Sequence, residues 1–157
     1  EYYASAVGEV NVVEKMKEVK AVIGGEGNGG VIYPELHYGR DAMVGIALFL
    51  THLAKSGMSA ARLRATYPNY YIAKKKIDLD LSVNIDKLFE ALENKYSKYP
   101  VNTIDGVKIE FDKDWVHLRR SNTEPVIRIY AESNNETTAD NISNQIMSDL
   151  RSFAKKA

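Results

Sequence analysis

Apolar and polar residues alternate along this chain with two distinct periods. From Asn11 to Lys20 the spacing is helical: Val12, Val13, Met16 and Val19 form one stripe, and Glu14, Lys15, Lys17 and Glu18 cover the other side. Ala21-Val22-Ile23 is a short apolar run ending in Gly24-Gly25, which predicts a buried strand feeding a glycine-rich turn. Val31-Ile32-Tyr33 predicts a second strand, stopped by Pro34. Asp41 then opens a helix, where its carboxylate can accept backbone N–H bonds. Met43, Ile46, Ala47, Leu50 and Leu53 form the expected inward stripe, and Gly57 the C-cap. Ser59 opens a shorter helix, Ala60 to Thr66, that ends before Pro68.

Beyond Pro68 the period changes. Tyr70 to Leu81 reads as a strand, with Ile77, Leu79 and Leu81 on one face and Asp78 and Asp80 on the other. Asn84 caps a helix from Ile85 to Lys98, with Leu88, Phe89, Leu92 and Tyr96 inward. Val101 to Phe111 contains Asp105-Gly106, a hairpin turn signal. Trp115 to Leu118 and Val126 to Ala131 predict strands, and Thr137 to Lys156 a closing helix with Ile142, Ile146, Leu150 and Phe153 inward. This order predicts an α+β domain, a mostly antiparallel sheet with helices on one face, over residues 61–157. Residues 1–60 carry too few elements for a self-sufficient domain and read as a portion of an α/β domain.

Composition narrows the function classes. Lys+Arg and Asp+Glu both total 21, so the chain has no bulk electrostatic reason to seek nucleic acid or an anionic membrane. The absence of cysteine excludes disulfides, thiolate metal sites and a cysteine nucleophile. It suits a reducing cytoplasm. No apolar run is long enough to span a bilayer, and no signal peptide is visible. The chain opens on Glu1 without methionine, which fits a fragment.

Two loops carry chemistry. In Arg119-Arg120-Ser121-Asn122-Thr123-Glu124-Pro125, two guanidinium forks, two hydroxyls and an amide lie together between predicted strands. A phosphate dianion needs such donors, because its oxygens accept several charge-assisted bonds at once. Arg128 leaves the following strand on the face opposite Ile127 and Ile129 and could reach the same anion. By spacing alone, a polar hairpin turn with surface arginines is an equal reading. The second loop, Gly24-Gly25-Glu26-Gly27-Asn28-Gly29-Gly30, has five glycines in seven positions, which frees the backbone for close ligand approach. Glu26 and Asn28 suit vicinal hydroxyls. No Lys-Ser/Thr follows, so this is not a nucleotide-binding P-loop.

Other residues read as structural. His37, in a loop with Glu35, Tyr38 and Arg40, could do acid–base work, but an ordinary loop histidine is the simpler reading. His52 and His117 read as structural. Asp78 and Asp80 alone make a poor metal site. Lys74-Lys75-Lys76 reads as a solvated edge. Tyr70, Tyr71 and these lysines suggest single-stranded RNA binding, against which the zero net charge argues.

Together and in order, the two loops resemble the α-D-phosphohexomutase family, which includes phosphoglucomutase, phosphomannomutase and phosphoglucosamine mutase. Arg119 to Pro125 is similar to the phosphate-binding loop of its fourth domain, and Gly25 to Gly30 to the sugar-binding loop of its third. Ser5-Ala6-Val7-Gly8-Glu9 resembles the motif preceding that sugar loop. The resemblance implies a parent enzyme that interconverts hexose 1-phosphate and hexose 6-phosphate through a bisphosphate that reorients in the cleft. It implies phosphate contacts at Arg119, Ser121, Asn122, Thr123 and Arg128, and sugar contacts at Glu26, Asn28, Gly8 and Glu9. A phosphosugar is the implied partner, Mg²⁺ the implied cofactor, and a glucose 1,6-bisphosphate type of activator is compatible.

This chain departs from the family pattern in three places. Gly30 stands where many members carry histidine, and Ser5 where many carry threonine. Neither a phosphoserine loop nor an aspartate-rich metal loop is present. The chain therefore reads as part of the third domain plus the fourth, without catalytic or metal residues, and inactive alone. The alternative is a non-catalytic sugar-phosphate-binding or interaction module of the same fold.

Overall fold

The computed structural model describes residues 1–78, 83–121 and 126–155. The chain forms two compact units, Glu1–Tyr67 and Pro68–Ala157. The division falls after Tyr67.

The first unit opens with helix α1 (Glu9–Val19), which follows Gly8 and ends at Lys20 in the left-handed region. Three short antiparallel strands follow, in the order β1 (Gly24–Gly25), β2 (Val31–Tyr33) and β3 (His37–Arg40). Ile32 is fully buried, and Met16 of α1 lies directly on the Cα of Gly24. A side chain at position 24 would displace Met16, so glycine lets helix and strand touch.

Ala21-Val22-Ile23 is not the expected buried strand. Val22 is 79% exposed, and the ladder begins only at Gly24, opposite Ile32. The left-handed turn at Lys20 uses these residues as the connection out of α1. Likewise His37 lies on β3 rather than in a loop.

Helix α2 (Ala42–Ser56) starts where Asp41 accepts from the Val44 N–H and stops at Gly57, φ +63°, as the caps predict. Its stripe is corrected. Met43, Ile46 and Leu50 are exposed, at 73%, 52% and 54%, while Val44, Gly45, Leu48 and Leu53 are more covered. The segment Ala42–Leu53 is apolar almost all round, so one stripe was the wrong pattern for it. Ser59 caps α3 (Ala60–Ala65), whose Leu63 is buried.

The second unit is a five-stranded antiparallel sheet in the order β4-β8-β7-β6-β5. These are β4 (Tyr71–Asp78), β5 (Val101–Asn102), β6 (Val107–Glu110), β7 (Trp115–Arg120) and β8 (Val126–Ser133). Leu79, Asp80 and Leu81, expected on β4, lie outside the described residues. Helices α4 (Ile85–Lys95) and α5 (Glu136–Ala154) contribute to one core with one face of the sheet. Asn84 and Asn135 cap them through side-chain bonds to backbone N–H groups.

Leu88, Leu92, Ile109, Leu118, Ile127, Ile129, Ile146 and Leu150 are 1% exposed or less, and each contributes roughly 1.5–3 kcal/mol by burial. The buried Asp149 carboxylate ties α4 to α5. It accepts from the Tyr96 hydroxyl at 2.8 Å and Gln145 at 3.0 Å, and pairs with Lys95 at 2.6 Å. Burial, then this bond, raises the Tyr96 phenol well above its ordinary range.

Strand alternation divides the sheet. Val116, Leu118, Ile127, Ile129 and Ala131 point to the helices, so His117, Arg119, Arg128 and Tyr130 point to the helix-free face.

Candidate functional site

In the first unit, β1 and β2 are joined by the glycine loop. Its backbone closes on itself: the Glu26 N–H donates to Gly30 O at 3.1 Å, and the Gly29 N–H to Glu26 O at 3.0 Å. A Cβ on Gly25 would strike the Gly30 carbonyl, and Gly29 has φ +92°. These two glycines let the turn close this tightly.

The loop delivers Glu26 and Asn28 to the start of α1. Glu26 Oε1 accepts from the Gly8 N–H at 3.2 Å, and Oε2 from Asn28 Nδ2 at 3.3 Å. Asn28 Oδ1 accepts from the Gly30 N–H at 2.9 Å. Glu9 accepts from Arg40 twice, from the backbone N–H at 3.2 Å and from Nε at 2.8 Å. Arg40 Nη1 also lies 3.9 Å from Glu26 Oε2. Gly8, Glu9, Glu26 and Asn28, noted at separate points in the sequence, thus stand in one cluster.

Arg40 is the member that sequence reasoning missed. It had been noted only beside His37, and nothing local marks it, since it meets Glu9 across 31 residues of chain. Its stem crosses Gly30, where a Cβ would come within 2.6 Å of Arg40 Cδ. The Arg40 backbone N–H bond holds the Glu9 carboxyl below its ordinary value, helped by the guanidinium. Two carboxylates and an amide, braced by one cation, form an acceptor-rich site for hydroxyl donors.

In the second unit, β7 and β8 run antiparallel, and the Ser121 N–H donates to Val126 O at 2.9 Å. Ser121 is buried. Asn122 and Thr123, expected to contact phosphate, lie outside the described residues. Arg119 and Arg128 are direct cross-strand neighbours, and Lys76 of β4 is the next neighbour of Arg128. Like charges in register repel, so such a row is a cost the sheet alone does not require.

Arg119 is anchored from the β5–β6 hairpin. Its Nε lies 2.9 Å from Asp105 Oδ2, an ion-pair contact without the alignment of a good hydrogen bond. The sequence marked Asp105 only as a turn residue. Beside it, His117 Nε2 donates to the Asp105 carbonyl at 2.5 Å. Burial is the main reason that the His117 pKa is lowered. The Arg119 and Lys108 charges add to this, and the carbonyl bond and the Asp105 charge oppose it.

His37 Nε2 lies 3.1 Å from the capping carboxylate of Asp41, and its Nδ1 accepts from the Gly39 N–H at 3.0 Å. His52 is exposed on α2. Among the described residues, no three His, Asp or Glu side chains converge in a group that could hold a metal ion. No helix among them is long and apolar enough to cross a membrane.

Two family models match the chain. The phosphoglucomutase/phosphomannomutase α/β/α domain III matches residues 1–70, and the phosphoglucomutase/phosphomannomutase C-terminal domain matches residues 74–148. A phosphoglucosamine/phosphogalactosamine mutase of Sulfurisphaera tokodaii is 39% identical over 89% of this chain and 31% of its own length. A phosphoglucomutase/phosphomannomutase of Thermococcus kodakarensis is 40% identical over 85% of this chain and 29% of its own. The crystal structure of a phosphoglucomutase/phosphomannomutase family protein from Burkholderia thailandensis superposes with a TM-score of 0.72 at 26% identity, covering 93% of this chain and 31% of that one. The chain therefore spans less than a third of the length of each of these relatives.

Proposed function

The chain belongs to the phosphoglucomutase/phosphomannomutase family, spanning its third and C-terminal domains, and from that membership we propose that it is the substrate-holding part of a phosphohexomutase. The whole enzyme interconverts hexose 1-phosphate and hexose 6-phosphate through a bisphosphate. The phosphoserine and the Mg²⁺ ligands belong to other parts of that protein, and this chain alone is inactive.

In this reading, Glu26 and Asn28 accept hydroxyl protons of the sugar, with Gly8 and Glu9 supporting them. Arg119, Ser121 and Arg128 grip the phosphate that is not reacting, a role the family resemblance extends to Asn122 and Thr123. Holding the sugar in place turns an encounter into an oriented reaction, the main service such a domain can give. The observation that carries the proposal is the in-register pair Arg119 and Arg128, whose repulsion an anion between them would relieve.

Calorimetric titration with glucose 6-phosphate, on the wild-type chain and on Arg119→Ala, tests it. The substitution is expected to weaken binding by about 1.5–3 kcal/mol, the worth of a bond to a charged group. Equal affinities would remove the phosphate assignment.

A further inference from the structure

We infer that Lys76 is a further phosphate-contacting residue of this site, supplying a second mobile positive charge to a phosphate dianion. The inference rests on the phosphate reading of Arg119 and Arg128 and adds a residue that the loop motif does not contain.

The three consecutive lysines of β4 have different surroundings. Lys75 points to the helix side, where its Nζ lies 2.7 Å from Asn144 Oδ1 and 3.0 Å from Asp140 Oδ1. Lys74 and Lys76 point to the helix-free face by strand alternation. Lys74 stands opposite Tyr130, a neutral neighbour, whereas Lys76 stands opposite Arg128, which itself stands opposite Arg119. Only Lys76 extends the row of like charges.

Charge balance along that row supports the assignment. Arg119 has the Asp105 carboxylate at 2.9 Å, so part of its charge is already balanced. Arg128 is exposed and forms no salt bridge among the described residues. Lys76 has Asp78 at 3.6 Å, but both side chains are mostly exposed, at 64% and 77%, and such pairs are weak. A phosphate monoester carries nearly two negative charges at neutral pH. Arg128 and Lys76 together match it. Adjacent strands lie about 4.8 Å apart, so both flexible side chains can reach one anion.

The test is calorimetric titration of the 157-residue chain with glucose 6-phosphate, comparing wild type with Lys76→Gln, Lys76→Arg, Lys74→Gln and Arg119→Ala. Lys76→Gln should weaken binding roughly tenfold, the low end for a bond to a charged group. Lys76→Arg should restore most of the affinity, and Lys74→Gln should leave it unchanged. Thermal melting should be the same for all three lysine variants, because these side chains are not in the core. Wild-type affinity in Lys76→Gln, beside a weakened Arg119→Ala, would overturn the inference and leave the phosphate site standing. Equal losses in Lys74→Gln and Lys76→Gln would overturn it in favour of a diffuse field. If wild type and Arg119→Ala bind equally, the site and the inference fall together.

Discussion

Arg119 Nε lies 2.9 Å from the carboxylate of Asp105, so the arginine expected to grip phosphate is itself held by the neighbouring hairpin. Asp105 therefore serves as a positioning residue, orienting a long side chain before any ligand arrives. The two substitutions Asp105→Ala and Arg119→Ala should not add. In urea unfolding, a double-mutant cycle should give a coupling of about 1 kcal/mol. Additivity would show that the contact does not hold the arginine.

Gly106, at the tip of the same hairpin, has φ +75°, and a Cβ there would collide with the Leu118 carbonyl. Left-handed backbone alone costs a non-glycine residue roughly 1–2 kcal/mol. Gly106→Ala should lose at least that much stability, measured as a lower urea midpoint, because β7 must also shift. Loss of hexose-phosphate affinity should accompany it, since Asp105 and Arg119 flank the collision.

His117 should make stability depend on pH. Burial lowers its folded-state pKa below the ordinary 6.5, so between the two values the unfolded chain binds more protons. The contribution is fully present above pH 6.5 and is lost as pH falls through the lowered value. Urea midpoints should fall between pH 7.5 and pH 5.5 in the wild type. His117→Gln, which keeps a donor for the Asp105 carbonyl, should flatten that fall. An unchanged pH slope in the variant would contradict the assignment.

Arg40→Ala should act on the sugar side alone. Glu9 loses its side-chain partner and Glu26 its nearby cation, so their geometry loosens. Affinity for glucose 6-phosphate should drop while affinity for inorganic phosphate stays unchanged. The Glu9 carboxyl should also titrate nearer its ordinary value, read by carbon NMR. Part of the depression should persist, because the largest cause is the backbone N–H of residue 40.

Helix boundaries were legible where one side chain decides them. Asp41, Ser59 and Asn84 each cap the next backbone N–H groups, an interaction confined to a few residues. The faces of α2 were not legible, because Met43, Val44, Ile46, Leu48 and Leu50 offer apolar surface in several directions. The two loops were visible as clusters of residue type. Their supports were not: Arg40 reaches Glu9 from a distant strand, and Lys76 joins Arg128 only through strand register. A run of three lysines looks like one solvated edge until the sheet sends Lys75 one way and Lys76 the other.

Glu26 and Asn28 of the first unit are the groups proposed to take sugar hydroxyls, and Arg119, Ser121 and Arg128 of the second are those proposed to take phosphate. The most direct test is amide chemical-shift mapping during titration with glucose 6-phosphate, inorganic phosphate and glucose. Phosphate should move the amides of Arg119, Ser121 and Arg128, glucose those of Glu26, Asn28 and Gly30, and glucose 6-phosphate both sets. Shifts from glucose 6-phosphate that fall elsewhere and leave both sets unmoved would contradict both assignments.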